Sequence, residues 1–176
     1  MRLIKYTFLF FICSVCLSNC GTEEEPLFTL QTEADFVIQP GLNTFDTHHF
    51  IIRDVPTRIG NYLSGSIGAS DIGRMLPNRA ELNAQFSNID WAMVAEVSIW
   101  AVSQSNPNLR KEVFYNDRIQ FNDVEELRLL SSLSEVRDIL LEDRITIEVR
   151  LNFRRPTPIE IESRLTMNFV ANGLSQ

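Results

Sequence analysis

The stretch RITIEVRLNFR, residues 144–154, alternates apolar and polar side chains without interruption. Successive side chains of a β-strand point to opposite faces, so this period of two predicts a strand with one buried and one solvated face. Five apolar residues share the face that we expect to be buried: Ile145, Ile147, Val149, Leu151 and Phe153.

Residues 159–170 repeat this alternation and predict a second strand. Pro156 and Pro158 lie between the two segments. Proline has no N–H to donate to a strand ladder, so the pair favours a turn. The inward residues that we expect in the second strand are Ile159, Ile161, Leu165, Met167 and Phe169.

We expect the two strands to form a hairpin in which Phe153 lies opposite Ile159. Inward residues must oppose inward residues, because a slip of one position turns every side chain to the other face. The same register places opposite charges across from each other, which stabilises a sheet by about 0.2–1 kcal/mol per pair. These pairs are Arg150 with Glu162 and Glu148 with Arg164.

Further segments with strand character occur along most of the chain. The clearest is residues 91–102, where every second side chain from Trp91 onward is apolar. With the remaining segments the total is about seven strands, which predicts an all-β fold, a β-sandwich with Greek-key or jelly-roll connections. The remaining segments are residues 27–31, 34–39, 48–55 and 111–116.

One or two short helices are expected between the strands. Ser132 and Glu135 have the spacing of a capping box, and Leu133, Val136 and Leu140 would then share one helix face. Asn122 or Asp123 could cap a shorter helix that contains Leu127 and Leu130. Residues 56–83 are glycine-rich, and we interpret them as loops with a short helix.

The first 20 residues have three parts: a basic start with Arg2 and Lys5, an apolar run over residues 6–17, and Ser18-Asn19-Cys20. This order is typical of a secretory signal segment. About 20 apolar residues are needed to span a bilayer, so this run is too short for a stable transmembrane helix.

Residues 17–20, Leu-Ser-Asn-Cys, resemble the lipobox of bacterial lipoproteins, although Asn19 stands where that family usually has a smaller residue. The resemblance implies that the Cys20 thiol carries lipid and that residues 1–19 are removed as a signal peptide. Two or more acyl chains are enough for stable membrane attachment. Removal of residues 1–19 leaves 157 residues, a length typical of one domain.

The residues after Cys20 indicate in which membrane the protein would be anchored. Gly21 is not the aspartate that often retains lipoproteins in the inner membrane, so the resemblance implies the outer membrane. Residues 23–25, three glutamates, resemble the acidic run that sends lipoproteins of Bacteroidota to the cell surface, and a solvated tether explains them equally well. We therefore expect a lipidated acidic tether over residues 20–26 and a single domain over residues 27–176, on the periplasmic or the surface side.

Charge and residue counts argue against nucleic-acid binding and against a metal site. Without residues 1–19 the chain has 14 basic and 23 acidic residues, a net charge of −9, which disfavours binding to nucleic acid. We expect no metal or other cofactor, because His48 and His49 are the only histidines and adjacent strand residues point to opposite faces. Cys13 and Cys16 have metal-ligand spacing but fall in the segment expected to be removed.

Trp100 is the one candidate ligand-binding residue, because it shares the mixed face of its strand with Glu96 and Ser98. An exposed aromatic ring there could stack on a sugar or anchor a partner protein; the alternative is that a helix or the opposing sheet covers it. The sequence contains no visible catalytic constellation. We therefore favour a non-catalytic envelope module that binds a protein or a glycan or serves a structural role, with a carboxylate-based hydrolase of envelope polysaccharide as the alternative.

Overall fold

Eight antiparallel strands make up most of the domain in a computed structural model that describes residues 25–63, 65–121 and 124–174. The predicted signal segment and Cys20 lie outside the described residues. The strands are β1 (Phe28–Ile38), β2 (His48–Pro56), β3 (Ile72–Ala84), β4 (Val94–Ser103), β5 (Arg110–Asn116), β6 (Leu127–Ser131), β7 (Arg144–Phe153) and β8 (Ile161–Gly173). The expected all-β class is confirmed, with eight strands rather than about seven.

The helical pieces are short, as expected. The α-helix α1 spans Arg137–Leu140. Three single turns of 3₁₀-helix occupy Ile59–Asn61, Ala69–Asp71 and Trp91–Met93. Within the described ranges, no helix has the length and apolar character needed to cross a membrane.

The strand order is β1-β8-β3-β6-β5-β4-β7-β2. Four of the pairs in this order, β1 with β8, β2 with β7, β3 with β6 and β4 with β5, nest one inside the other along the chain. This is the pattern of one long hairpin rolled into two layers, which defines a jelly roll. The connection is therefore the jelly roll, one of the two alternatives, Greek key or jelly roll, that the sequence left open.

The two layers belong to one continuous sheet, because β6 pairs with β3 on one side and with β5 on the other. The sheet curls until its two edge strands, β1 and β2, contact each other through side chains. Thr32 Oγ1 donates a hydrogen bond of 2.8 Å to the carbonyl oxygen of Pro56, and the rings of Phe36 and Phe50 lie 5.1 Å apart. The result is nearly a barrel.

The core lies between the two layers, and the buried apolar residues form one continuous cluster. The five residues of β7 that were expected to be inward are all buried, as are Ile161, Leu165, Met167 and Phe169 of β8. Phe114 of β5 and Phe169 meet across the core with ring centroids 5.5 Å apart. Ile159 was expected to be inward as well, but it lies in the loop before β8 and is about half exposed.

The predicted hairpin of β7 and β8 is wrong. β7 pairs with β2 and β4, whereas β8 pairs with β1 and β3 in the other layer. Arg164 donates two hydrogen bonds of 2.8 Å to Asp35 of β1, and Glu148 binds other partners. Residues 154–160 cross from one layer to the other, so β7 and β8 face each other across the core. Matching of inward residues does not distinguish such strands from neighbours in one sheet.

The sequence did not predict two of the strands, β3 and β6, and it predicted two strands where the structure has one, β1. β3 lies in the glycine-rich region, where register shifts after Ile72 and Pro77 break the alternation. β1, Phe28–Ile38, joins the two segments expected at residues 27–31 and 34–39. They were predicted as separate strands because the inward Thr32, whose hydroxyl is hydrogen-bonded, interrupts the apolar pattern.

The helix predictions require correction. Ser132 Oγ donates to the carbonyl oxygen of Glu112, and Glu135 accepts from the backbone N–H of Met75, so the two residues form no capping box. Leu133 is almost fully exposed, although Val136 and Leu140 are buried as expected. Asn122 and Asp123 lie outside the described residues, and Leu127 and Leu130 belong to strand β6 instead of a helix.

We predict that Phe169→Ala lowers the free energy of unfolding by about 3–5 kcal/mol, because it removes a fully buried ring from the contact between the layers. The matched control is Phe45→Ala, since Phe45 is exposed. That change should alter stability by less than about 0.5 kcal/mol. Urea unfolding followed by circular dichroism measures both values, and equal losses would contradict this assignment of the core.

Candidate functional site

Trp100 lies on the outer face of the layer formed by β2, β7, β4 and β5, and it is partly buried. It faces away from the opposing layer, because Ile99 and Ala101 on either side of it are the inward residues. The guanidinium carbons of Arg150 and Arg110 lie 4.6 Å and 5.0 Å from the centroid of the indole ring. Arginines from the neighbouring strands therefore cover Trp100.

Glu148 of β7, opposite Trp100 in the sheet register, connects these arginines. Its side chain accepts hydrogen bonds of 2.8 Å from Arg150 Nε and 2.7 Å from Arg110. His49 Nδ1 lies 2.8 Å from the same carboxylate. Burial raises the pKa of Glu148, but the hydrogen bonds from Arg150 and His49 and the charges of the two arginines outweigh it, so the pKa falls below its usual range. Glu148 is therefore a carboxylate at neutral pH.

This cluster determines what Trp100 can do. Cation–π contacts of this geometry contribute about 0.5–2 kcal/mol each, and the Glu148 carboxylate holds both guanidiniums at the ring. A sugar that stacked on the indole would have to displace an arginine from this arrangement. We therefore assign Trp100 a supporting role, in which it positions Arg150 and Arg110.

Beside the cluster, a groove of about 400 Å³ runs along the outer faces of β4, β5 and β7. Arg150 belongs to both the cluster and the groove, whereas Trp100 does not line the groove. Ten residues line the groove, and most of them are polar: Thr47, Glu96, Val97, Ser98, Glu112, Tyr115, Asn116, Asp117, Arg150 and Asn152.

The sheet register brings these side chains together. Ser98 at the centre lies opposite Tyr115 of β5 on one side and Arg150 of β7 on the other. Glu96 accepts a hydrogen bond of 3.1 Å from Asn152. Side chains held by a sheet and by each other are preorganised for a ligand.

The groove chemistry favours a neutral ligand with many hydroxyl groups. Three carboxylates, from Glu96, Glu112 and Asp117, are hydrogen-bond acceptors, and two carboxamides, from Asn116 and Asn152, can both donate and accept. The three carboxylates outnumber the single guanidinium, so an anionic ligand is disfavoured.

The two histidines point to opposite faces, as expected. The ring of His48 packs against Phe153 at 5.5 Å between centroids, whereas His49 joins the outer-face cluster. In the part of the chain that the structure describes, no group of three or more His, Cys, Asp or Glu side chains could hold a metal ion.

Sequence reasoning identified Trp100 but missed the residues that form the groove, such as Tyr115 and Arg150. Their grouping depends on the pairing of β4 with both β5 and β7, and the alternation of side chains along each strand does not reveal those pairings. No protein-family model matches this chain, and no curated protein matches its sequence.

We predict that Glu148→Gln flattens the acid limb of the stability curve. The pKa of Glu148 is lowered in the folded state, so its contribution to stability is complete above about pH 5 and is lost as pH falls through the ordinary glutamate pKa and then the folded one. Urea unfolding at pH 7, 4 and 3 measures the effect. The control is Glu160→Gln, an exposed residue, and an acid limb equally steep in Glu148→Gln and the wild type would refute the prediction.

Proposed function

We propose that this chain is a lipid-anchored, non-catalytic binding module of the outer membrane, and that the groove on β4, β5 and β7 binds a glycan. The observation that carries the proposal is the concentration of carboxylate, carboxamide and hydroxyl groups along one open groove on a rigid sheet. A glycan presents alternating donors and acceptors, and such groups satisfy both.

Tyr115 supplies the apolar component that a sugar ring requires. It is 36% exposed on the outer face, next to Ser98 in the register. An aromatic ring with a hydroxyl can contact the C–H face of a sugar and also hydrogen-bond to it. In this respect Tyr115 takes the role that the sequence suggested for Trp100, whose ring is covered by arginines.

The anchor is proposed from the sequence, on the lipobox resemblance at residues 17–20. Seven residues reach at most about 25 Å, so a lipidated Cys20 would keep the domain within that distance of the bilayer surface. The net charge of −9 after removal of residues 1–19 disfavours direct contact with anionic lipid headgroups, so attachment would depend on the acyl chains.

A second function, hydrolysis of an envelope polysaccharide, has one observation in its favour. Glu96, Glu112 and Asp117 line the same groove, and glycosidases use a pair of carboxylates that face each other across the scissile bond. The hydrolase also needs one of these groups to donate a proton. Release of shortened oligosaccharides distinguishes this function from binding.

We predict that Cys20→Ala moves the protein from the membrane fraction to the soluble fraction, because the acyl chains would supply the attachment and a net negative charge disfavours contact with anionic lipid. Fractionation of the producing bacterium measures the change, and mass spectrometry of the N-terminal peptide identifies the lipid. A variant that still pellets with the envelope and needs detergent for release would refute the anchor.

We predict that Tyr115→Ala weakens glycan binding by at least about tenfold, a free-energy loss of about 1.4 kcal/mol. The measurement is binding to an array of neutral oligosaccharides, followed by calorimetry with the best ligand. The matched control is Ile51→Ala, an exposed apolar residue on the same layer that does not line the groove. Equal weakening by both variants, or no binding by the wild type, would contradict the proposal.

In the same experiment, the wild type should leave the oligosaccharides intact over days of incubation. If shorter products appear and Glu112→Gln abolishes them while binding persists, the hydrolase replaces the binding module as the function.

A further inference from the structure

We infer that the end of the jelly roll opposite the N-terminal tether docks a protein segment in which an apolar side chain lies beside a basic one. Four loops form this end, after β1, β3, β5 and β7, and we call them together the loop end. Their described residues are 39–47, 85–93, 117–121, 124–126 and 154–160.

Each loop exposes one large apolar side chain at this end. Phe45, Phe86 and Phe121 are 94%, 81% and 76% exposed, and Ile159 is 47% exposed. A scattered apolar residue on a surface needs no explanation, but a group at one end of a molecule is typical of an interaction site.

The loops that carry these residues are tied to one another. Arg154 donates hydrogen bonds of 3.0, 2.6 and 2.9 Å to the carbonyl oxygens of Ala92, Val94 and Ile119, and its guanidinium lies 4.5 Å from the ring of Phe121. These contacts connect the loops after β3, β5 and β7.

The loop after β1 is fixed as well. The buried Thr157 accepts hydrogen bonds from the backbone N–H groups of Gly41 and Leu42. The side chain of Asn43 accepts from the N–H of Phe45, which fixes the backbone that carries this ring. Binding to preorganised loops avoids the entropy cost of ordering them.

Two adjoining hollows lie among the exposed residues. The first, of about 440 Å³, is lined by the apolar residues Met93, Pro156, Pro158 and Ile159 and by Arg155, whose guanidinium lies 3.4 Å from the Asp90 carboxylate. The second, of about 570 Å³, includes Glu125. Both share Ile89 and Asp90, so a side chain in one hollow lies next to a side chain in the other. The first hollow fits an apolar side chain, and the second fits a basic one.

The charge of the loop end selects this partner. Its described residues include six carboxylates against three arginines, and hydrogen bonds from the backbone of Ala92 and Val124 hold the pKa of Asp90 below its usual range. An anionic bilayer would be repelled. A second copy would bring the same acidic surface to the contact, so it would be repelled also.

If Cys20 carries the proposed lipid anchor, the loop end points away from the membrane, where a protein partner can reach it. β1 begins at Phe28 near the tether and ends at Ile38 where the first loop begins. A strand of this length spans about 35 Å, at about 3.3 Å per residue. The docking surface therefore lies at the far end of the domain from the point where the chain enters it.

The test uses the full chain in phosphatidylcholine nanodiscs and two pools of fluorescent nonapeptides. Each peptide of the first pool has one Leu or Phe next to one Lys or Arg in a Gly/Ser background, and the second pool has Asp or Glu in place of the basic residue. Anisotropy should show at least about tenfold tighter binding of the first pool. Equal binding of the two pools, or binding of neither, would overturn the inference.

Two variants locate the binding. Ile159→Asp in the first hollow and Glu125→Lys in the second should each weaken binding of the first pool by at least about fivefold. The matched controls at the other end are Leu133→Asp and Asp143→Lys, both exposed residues. Thermal unfolding confirms that all four variants fold. Weakening by the controls that equals that by the loop-end variants would overturn the proposed location.

Two further measurements exclude the other occupants. The Cys20→Ala protein should neither float with vesicles of phosphatidylcholine and phosphatidylglycerol nor form dimers in sedimentation. Flotation that Phe86→Ser abolishes would assign the loop end to a lipid surface, and dimers that Ile159→Asp dissociates would assign it to a second copy. Either result would overturn the inference.

Discussion

The antiparallel pairing of β1 with β8 joins the two ends of the domain, with Phe28 opposite Ala171 and Ile38 opposite Ile161. The other nested pairs lie inside it along the chain, so this pair joins the segments that are farthest apart in the sequence. Closing such loops costs entropy before the core can form, and folds of this kind are slow to fold for that reason. This pairing places the loops before and after these strands at common ends of the fold, whereas the groove depends on the pairing of β4 with β5 and β7.

The sequence predicted the faces of the strands better than their neighbours. The alternation in β7 identified its five buried residues, because each strand needs one apolar face to join a core. The partner of β7 could not be read in the same way. Arg164 pairs with Asp35 of β1, and Glu148 pairs with Arg150 of its own strand. The complementary charges of Glu148 and Arg164 therefore predicted a register between β7 and β8 that does not exist. β3 was missed because irregular pairing near Pro77 hides its period.

The same limit explains the outcome at the candidate site. Trp100 could be recognised as an aromatic residue on a mixed face, but its covering arginines come from β5 and β7, which are distant in sequence. Tyr115 gave no comparable sign, because only its position opposite Ser98 places it on the outer face beside the polar groove. Residue type and spacing suffice for a face, whereas a site assembled from three strands requires the topology.

The contact of β1 with β2 through Thr32, Phe36 and Phe50 has a consequence for the behaviour of this chain at high concentration. In the described part of the chain, these are the two strands that pair on one side only. An open strand edge can recruit a strand from another molecule and begin aggregation. Here each edge lies against the other, which hinders the approach of a strand from a neighbouring molecule.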